Sequence, residues 1–263
     1  MAIRYFTSWM RYPDYNLKAH REKGLYVVPL EGELVTYNPF DCRDGILLAL
    51  LRIGFAPSEE QVLDFCNQFG LLGFGQAVIQ KEYEDSTVKF YPDNVLGRKA
   101  LHEAELMDLF FPFDLCSHRV KRGHEMRMTD RWERRPPDSL WPLFEPGYAE
   151  QVEWIVFYAK RLYGMALRFC QGEPFEYDFG NIKVGTVFTD TVKTQWRFDS
   201  LKTAVDILFM ELLQNPRPAV RLCEHCHNPM LVSAGTRSRY CSESCRNVAN
   251  VKRSRQKKRN AQP

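Results

Sequence analysis

Apolar residues recur three or four positions apart in several segments of the chain, and this spacing predicts amphipathic helices. The first segment contains the apolar run from Ile46 to Leu51, and Gly54 is placed to end it. The second begins after Ser58, which forms a capping box with Gln61 three residues later. Gly70 is placed to end this second helix. The pattern therefore predicts two consecutive helices near the start of the chain.

Three further helices are predicted later in the sequence. One covers residues 95–110, and a longer one extends from Pro146 to Cys170, with Gly172 as its stop signal. The last begins near Asp199 or Ser200 and ends at Asn215-Pro216. Between the long helix and the last one, the segment from Ile182 to Thr189 is predicted to contain a short strand.

The first 40 residues have the pattern of β structure. The stretches Tyr26–Leu30 and Leu34–Tyr37 flank Glu31-Gly32-Glu33, and we expect them to pair as a hairpin around that loop. The glycine-rich segment Gly70–Gly75 lacks the third glycine and the Lys-Ser/Thr pair of a phosphate-binding loop. We interpret it as a turn.

These elements predict an α+β fold, in which a mainly helical N-terminal domain is followed by a small C-terminal module. The N-terminal domain is assigned to residues 1–215, with an unknown sensing or dimerising function. Residues 216–220 contain Pro216 and Pro218 and form a stiff connector. The C-terminal module then covers residues 221–263.

Charge is distributed unevenly between these parts. The formal net charge of the whole chain is +3, but residues 221–263 contain ten Lys or Arg and two Glu, a formal charge of +8. The other 220 residues carry 26 basic and 31 acidic groups, a formal charge of −5. This asymmetry indicates a basic arm that binds a polyanion. Residues 119–135 are also rich in Lys and Arg, and they form either a solvated surface segment or a second nucleic-acid contact.

The chain has eight cysteines, and four of them are concentrated in the C-terminal module with the spacing Cys-x2-Cys-x14-Cys-x3-Cys. Zn²⁺ prefers four thiolate or imidazole ligands in a tetrahedron, which suits this spacing. We predict one Zn²⁺ per chain, with the ligands Cys223, Cys226, Cys241 and Cys245. The alternative to a metal site is two disulfides among the same four cysteines, a framework typical of short secreted chains. His225 and His227 are alternative ligands for the metal. The other four cysteines are expected to be reduced core residues.

The residues between the two cysteine pairs are predicted to bring the pairs together. Met230–Val232 and Arg237–Tyr240 have the pattern of two short strands, and Ser233–Thr236 is typical of a turn between them. Cys241 and Cys245 are four residues apart, so they share a face at the start of a helix. A knuckle, a hairpin and a helix in this order make a treble-clef finger.

The helix that follows Cys245 contains seven basic residues and no acid between Arg246 and Arg259. Such a helix is suited to phosphate contacts, with Asn247 and Asn250 as candidates for reading bases. Val248 and Val251 provide a narrow apolar edge that we expect to lie against the finger. A solvated basic tail is the alternative. The candidate nucleic-acid-binding residues are Arg237, Arg239, Arg246, Asn247, Asn250, Lys252, Arg253, Arg255, Lys257, Lys258 and Arg259.

The stretches Cys223–Cys226 and Arg239–Asn247 resemble the bacterial CGNR-type zinc finger, although Arg246 and Val248 stand where that signature has Gly and Arg. Segments Phe65–Gly73 and Trp196–Ser200 are similar to the N-terminal, ABATE-like part of the same family. The resemblance implies a finger after a larger domain, in proteins regarded as stress-induced transcription regulators.

These observations favour a cytoplasmic, zinc-dependent regulator that binds nucleic acid, with DNA expected rather than RNA. The alternative is a zinc-finger protein-interaction or scaffold module that does not contact DNA. We expect no enzymatic activity, since no nucleophile–base pair or phosphate loop is recognisable. No membrane association is expected, since the longest apolar run near the N-terminal half has six residues. The N-terminal domain is the candidate region for homo-oligomerisation.

Overall fold

The computed structural model of the chain describes residues 9–77, 79–84, 87–92, 103–113, 147–176, 183–188, 192–198, 200–214, 220–232 and 238–260. Within these ranges the protein consists of helices and small antiparallel sheets, as expected for the α+β class. None of the helices in the described ranges combines the length and the apolar character that a bilayer crossing requires. The basic segment 119–135, the connector 216–219 and Cys116 lie outside the described residues.

The N-terminal part of the chain alternates strands with helices. In chain order its elements are β1 (Trp9–Arg11), β2 (Tyr15–His20), β3 (Gly24–Pro29), β4 (Val35–Tyr37), a 3₁₀ turn (Pro39–Cys42), α1 (Arg43–Phe55), α2 (Glu59–Phe69), α3 (Phe74–Ala77), β5 (Ile79–Glu84), β6 (Thr87–Pro92) and α4 (Glu103–Phe110). The helix predicted over 95–110 is thus present in its second half, and residues 95–102 lie outside the described ranges.

The remaining elements include the longest helices. They are β7 (Glu150–Gln151), α5 (Val152–Gln171), β8 (Lys183–Phe188), β9 (Val192–Arg197), α6 (Leu201–Gln214), β10 (Val220–Leu222), β11 (Pro229–Leu231) and α7 (Glu243–Asn260). The strand predicted within Ile182–Thr189 and the helix predicted to begin near Asp199 or Ser200 are confirmed. Ser200 caps α6, because its hydroxyl oxygen accepts a hydrogen bond from the N–H of Thr203 at 3.1 Å.

The strands near the N-terminus pair differently from the prediction. The stretches Tyr26–Leu30 and Leu34–Tyr37 were expected to pair with each other, but β3 lies between β2 and β7, and β4 pairs with β1. The reason is a tighter turn between β2 and β3. Gly24 at that turn has φ of +87°, a conformation that glycine adopts without steric cost.

The main core lies between α1, α5 and α6, and α1 packs along α5. Gly54 does not end α1 as predicted, because the helix continues to Phe55. A Cβ atom at Gly54 would lie 2.3 Å from the carbonyl oxygen of Ala159 in α5. The glycine therefore permits close approach of the two helices. The other helix-end predictions are confirmed at Ser58, which caps α2, and at Gly172, which has φ of +72°.

The long helix α5 begins six residues later than predicted, because Tyr148 and Glu150 turn inward to anchor a loop. The fully buried carboxylate of Glu150 accepts hydrogen bonds from the N–H groups of Leu72, Gly73 and Phe74 at 2.7–2.8 Å. The hydroxyl of Tyr148 donates a fourth hydrogen bond to Glu150 at 2.7 Å. The segment Gly70–Gly75 is therefore a loop leading into α3, and it binds a carboxylate of the protein itself.

A second buried polar group joins α5 to α6. Lys202 and Asp206, one turn apart in α6, form a buried ion pair at 2.8 Å, and the Tyr158 hydroxyl donates to the same carboxylate at 2.7 Å. The backbone N–H of Lys202 also donates to the carbonyl of Leu72 at 2.7 Å. This hydrogen bond connects α6 to the loop that Glu150 anchors.

The hairpin of β10 and β11 attaches the C-terminal segment to this core. β11 contacts α1 and β10 contacts α5, and Val220 belongs to the main hydrophobic core. A smaller apolar cluster follows, made of Cys223, Met230 and Val232 with Cys226, Tyr240 and Cys245 packed against it. The C-terminal segment thus has a small core of its own beside the main one.

Candidate metal centre

The structure brings the four cysteines of the predicted zinc site together. The sulfur atoms of Cys223, Cys226, Cys241 and Cys245 all lie within 4.8 Å of one another. The Cys226–Cys241 and Cys241–Cys245 sulfur distances are both 3.5 Å. Four thiolates at about 2.3 Å from one Zn²⁺ would be about 3.8 Å apart, which is close to these distances. The donor set and its geometry therefore fit a single tetrahedral metal ion.

A tight knuckle positions the first pair of cysteines. The N–H of Cys223 donates to the carbonyl of Asn228 at 3.0 Å, and the N–H of His227 donates to the carbonyl of Cys223 at 2.9 Å. His227 has φ of +58°, which reverses the chain so that Pro229 can begin β11. Among the described residues, the close cluster contains the four cysteines and neither His225 nor His227.

The start of α7 positions the second pair. Ser242 caps this helix, since its hydroxyl accepts from the N–H of Cys245 at 3.2 Å and its carbonyl accepts from the N–H of Arg246 at 3.2 Å. Cys241 immediately precedes the cap and Cys245 lies in the first turn. Both sulfurs therefore face the knuckle from the N-terminal end of α7.

The pairing that joins the two cysteine pairs differs from the predicted hairpin. Residues 238–240 do not form a strand, and residues 233–237, which include the predicted turn, lie outside the described ranges. β11 pairs with β10 instead. The knuckle is linked to the second pair by the N–H of Glu224, which donates to the carbonyl of Arg239 at 3.0 Å, and by an ion pair between the same two side chains.

The surroundings of Cys223 favour its ionised form. Burial of Cys223 disfavours the thiolate, but hydrogen bonds from backbone N–H groups, that of Cys226 first, outweigh burial and lower the pKa to about 6. At Cys241, burial and the neighbouring sulfur atoms raise the pKa to about 12. The crowded sulfurs thus oppose ionisation of all four thiols together, which a bound cation would relieve.

The predicted nucleic-acid-binding residues are distributed over the surface of this module. Asn247, Asn250 and most of the cations of α7 are exposed: Lys252, Arg253, Arg255, Lys257 and Arg259. Arg239 pairs with Glu224, and Arg246 pairs with Glu243 at 2.6 Å. Arg237 lies outside the described residues. The backbone of Lys258 belongs to α7, but its side chain is not among the described ones.

One expectation for α7 is wrong. Val248 and Val251 do not lie against the finger but are 47% and 50% exposed, because the packed edge of the helix consists of Cys245 and Ala249. Arg253 contacts Tyr240: its guanidinium lies 5.7 Å from the ring centre of that residue and donates a hydrogen bond to its hydroxyl.

The cysteines outside the cluster and two buried acidic residues agree only in part with the predictions. Cys66 is buried as expected, Cys42 is half-buried, and Cys170 is exposed rather than a core residue. The sequence pattern did not indicate the buried roles of Glu150 and Asp206. The available signal for Asp206 was its position among the apolar residues of α6, with Lys202 one turn before it.

Comparison with known proteins adds no relative. No family model, no curated protein and no solved structure matches the chain. The resemblance to the CGNR-type finger therefore remains a prediction made from the residues quoted above.

Proposed function

We propose that the chain is a zinc-dependent nucleic-acid-binding protein, and specifically a DNA-binding transcriptional regulator with a treble-clef finger of the CGNR type. The observation that carries this proposal is the junction of the four-cysteine cluster with the basic helix. Cys245 belongs both to the cluster and to the first turn of α7. A metal ion held there fixes the beginning of a helix that carries most of the positive charge of the module.

Zn²⁺ has a structural role in this proposal. Cys223, Cys226, Cys241 and Cys245 would hold the ion, and the ion would supply the folding energy that a small apolar cluster cannot. The module offers few buried apolar residues of its own, chiefly Met230 and Val232. Ordering the helix before it meets a partner also reduces the entropy lost on binding.

The charges of α7 support a polyanionic partner. The structure shows no ion pair for Lys252, Arg255 or Lys257 among the described residues, and all three are exposed. Each phosphate that such a cation neutralises releases condensed counterions, so binding weakens steeply as salt increases. The larger N-terminal part is formally acidic, which would direct DNA towards this helix.

The first test is metal content. Protein purified without added zinc is expected to contain about one equivalent of Zn²⁺ per chain. The double variant Cys241→Ser, Cys245→Ser should lose the metal, while Cys170→Ser, which changes a thiol far from the cluster in sequence, should keep it. A folded C-terminal module that contains no metal would contradict the proposal.

The second test is nucleic-acid binding. The double variant Arg255→Ala, Lys257→Ala should weaken binding to duplexes of every sequence and flatten the dependence of log K on log salt by about two. The matched control Lys160→Ala, Arg168→Ala removes two exposed cations from α5 and should leave binding unchanged. If both double variants bind DNA and RNA like the parent, the scaffold function takes the place of the DNA-binding function.

A further inference from the structure

The side of α7 that faces away from the finger combines apolar and amide groups. Cys245 and Ala249 form the half-buried edge of the helix. Because one turn contains 3.6 residues, Asn247 and Val251 lie about half a turn from that edge. Val251 and its neighbour Val248 are the two large apolar side chains that α7 exposes.

The charge around this outward face identifies the class of partner. Glu243 is the one acidic residue of α7, it lies in the first turn, and it is paired with Arg246. From Asn247 to Asn260 the helix has cations and no acid. At 18 residues the helix is about 27 Å long. An α-helix fits the major groove of B-form DNA, whose phosphates would complement the flanking cations.

The chemistry of the outward face distinguishes between base pairs. An asparagine amide has one acceptor and two donor hydrogens, so it can pair with both N7 and the N6 amino group of adenine. Guanine presents two acceptors at the same edge, which an amide satisfies less well. An exposed valine matches the methyl group of thymine, the apolar group of the major groove. Asn247 and Val251 are four residues apart, hence about 6 Å along the helix, within reach of neighbouring base pairs.

We propose that the outward face of α7 reads A·T base pairs in the major groove of B-form DNA. Asn247 pairs with adenine, and Val251 contacts the methyl group of thymine. The inference rests on the proposed function, since it assigns a sequence preference to the same helix. RNA is disfavoured, because the major groove of an RNA helix is too narrow for an α-helix and uracil lacks the methyl group.

The test removes individual chemical groups from the edges of the DNA bases. Zinc-loaded full-length protein is titrated into duplexes of about 20 base pairs composed only of A·T pairs in mixed order, or only of G·C pairs. We expect the A·T duplex to bind about tenfold more tightly. Replacing every thymine by uracil removes the methyl group and keeps the duplex in the B form. Replacing adenine by 7-deazaadenine removes N7. Each replacement is expected to reduce the affinity several-fold.

Protein variants then assign each lost contact to its residue. Val251→Ala should bind the thymine and uracil duplexes equally, while Asn247→Ala should no longer respond to 7-deazaadenine. Neither variant should change the affinity for the G·C duplex. Gln256→Ala is the matched control, because Gln256 is exposed on the same helix but lies about half a turn from the outward face. It should leave all the affinities unchanged.

The outcomes separate this inference from the proposed function. If no duplex binds, the proposed function fails. If the A·T and G·C duplexes bind equally and with steep salt dependence, the function stands and this inference is wrong. An A·T preference that neither the uracil nor the 7-deazaadenine replacement reduces would indicate reading through the minor groove and would also overturn the inference. So would a loss of self-association in Val251→Ala without DNA, since a second copy would then cover the valines.

Discussion

The buried carboxylate of Glu150 should make the stability of the protein depend on pH. Burial raises the pKa of Glu150 from its ordinary value of 4.5 to about 7, although Tyr148 and three backbone N–H groups lower it. The folded state therefore binds more protons than the unfolded state between these values. The contribution of this carboxyl to stability is complete below about pH 4.5 and is lost as the pH rises through about 7.

The size of the effect follows from the same values. A tenfold change in proton affinity corresponds to about 1.4 kcal/mol, so the difference between 4.5 and about 7 corresponds to about 3 kcal/mol. The variant Glu150→Gln has no titrating group at this position. We expect the unfolding free energy of the wild type, minus that of Glu150→Gln, to fall by about 3 kcal/mol between pH 4.5 and pH 7.5.

Chemical denaturation at a series of pH values measures this difference, and Tyr148→Phe serves as a control. The Tyr148 hydroxyl donates to the carboxylate and lowers the pKa of Glu150. Its removal should therefore extend the loss of stability to higher pH. A difference that stays constant or increases with pH would contradict this expectation. It would show that the four hydrogen bonds to the carboxylate offset or outweigh its desolvation.

Three further outcomes are expected elsewhere in the chain. Asp206→Ala should lower the unfolding free energy by about 3–5 kcal/mol, because it leaves the ammonium of Lys202 buried without its carboxylate. The double variant Lys202→Met, Asp206→Leu should recover most of the lost unfolding free energy in the same denaturation assay. Gly54→Ala should cost about 1–3 kcal/mol, since its Cβ would meet the backbone of Ala159 in α5, and unchanged thermal stability would contradict that close approach. Metal chelation should remove the helical circular dichroism signal of α7 while α5 and α6 remain folded; simultaneous loss of the whole helical signal would show one cooperative unit.

The sequence was informative where the structure depends on local spacing. The four cysteines, the cap at Ser58 and the stop at Gly172 each depend on a few neighbouring residues. The structure placed these residues as the spacing predicted. The pattern also located the strands near Val27 and Thr36, but it could not decide their partners, since pairing depends on the turn at Gly24.

The features that could not be predicted from the sequence depend on contacts between distant segments. Glu150 binds N–H groups more than 70 residues away in the chain. Gly54 is a residue type that commonly ends helices, but here it permits the close approach of α5 to α1. Val220 lay in the predicted connector, yet it pairs in β10 and joins the main core. Whether Val251 is exposed depends on which edge of α7 faces the cysteine cluster, and Cys245 determines that edge.

The proposed function requires that a metal ion order α7 for binding to DNA, whereas charge alone predicts the opposite trend. Residues 221–263 have a formal charge of +8 when the cysteines are neutral. Zn²⁺ with four thiolates adds about −2. A disordered basic tail would therefore bind DNA at least as tightly without zinc as with it.

The most direct measurement is a titration of Zn²⁺ into the metal-free, reduced full-length protein in the presence of a fluorescent DNA duplex at fixed salt. We predict that the affinity increases and reaches its plateau at one equivalent of zinc per chain. The variant Cys241→Ser, Cys245→Ser should show no such increase. Equal or tighter binding by the metal-free protein would contradict the claim, because the cysteine cluster would then have no part in presenting α7 to DNA.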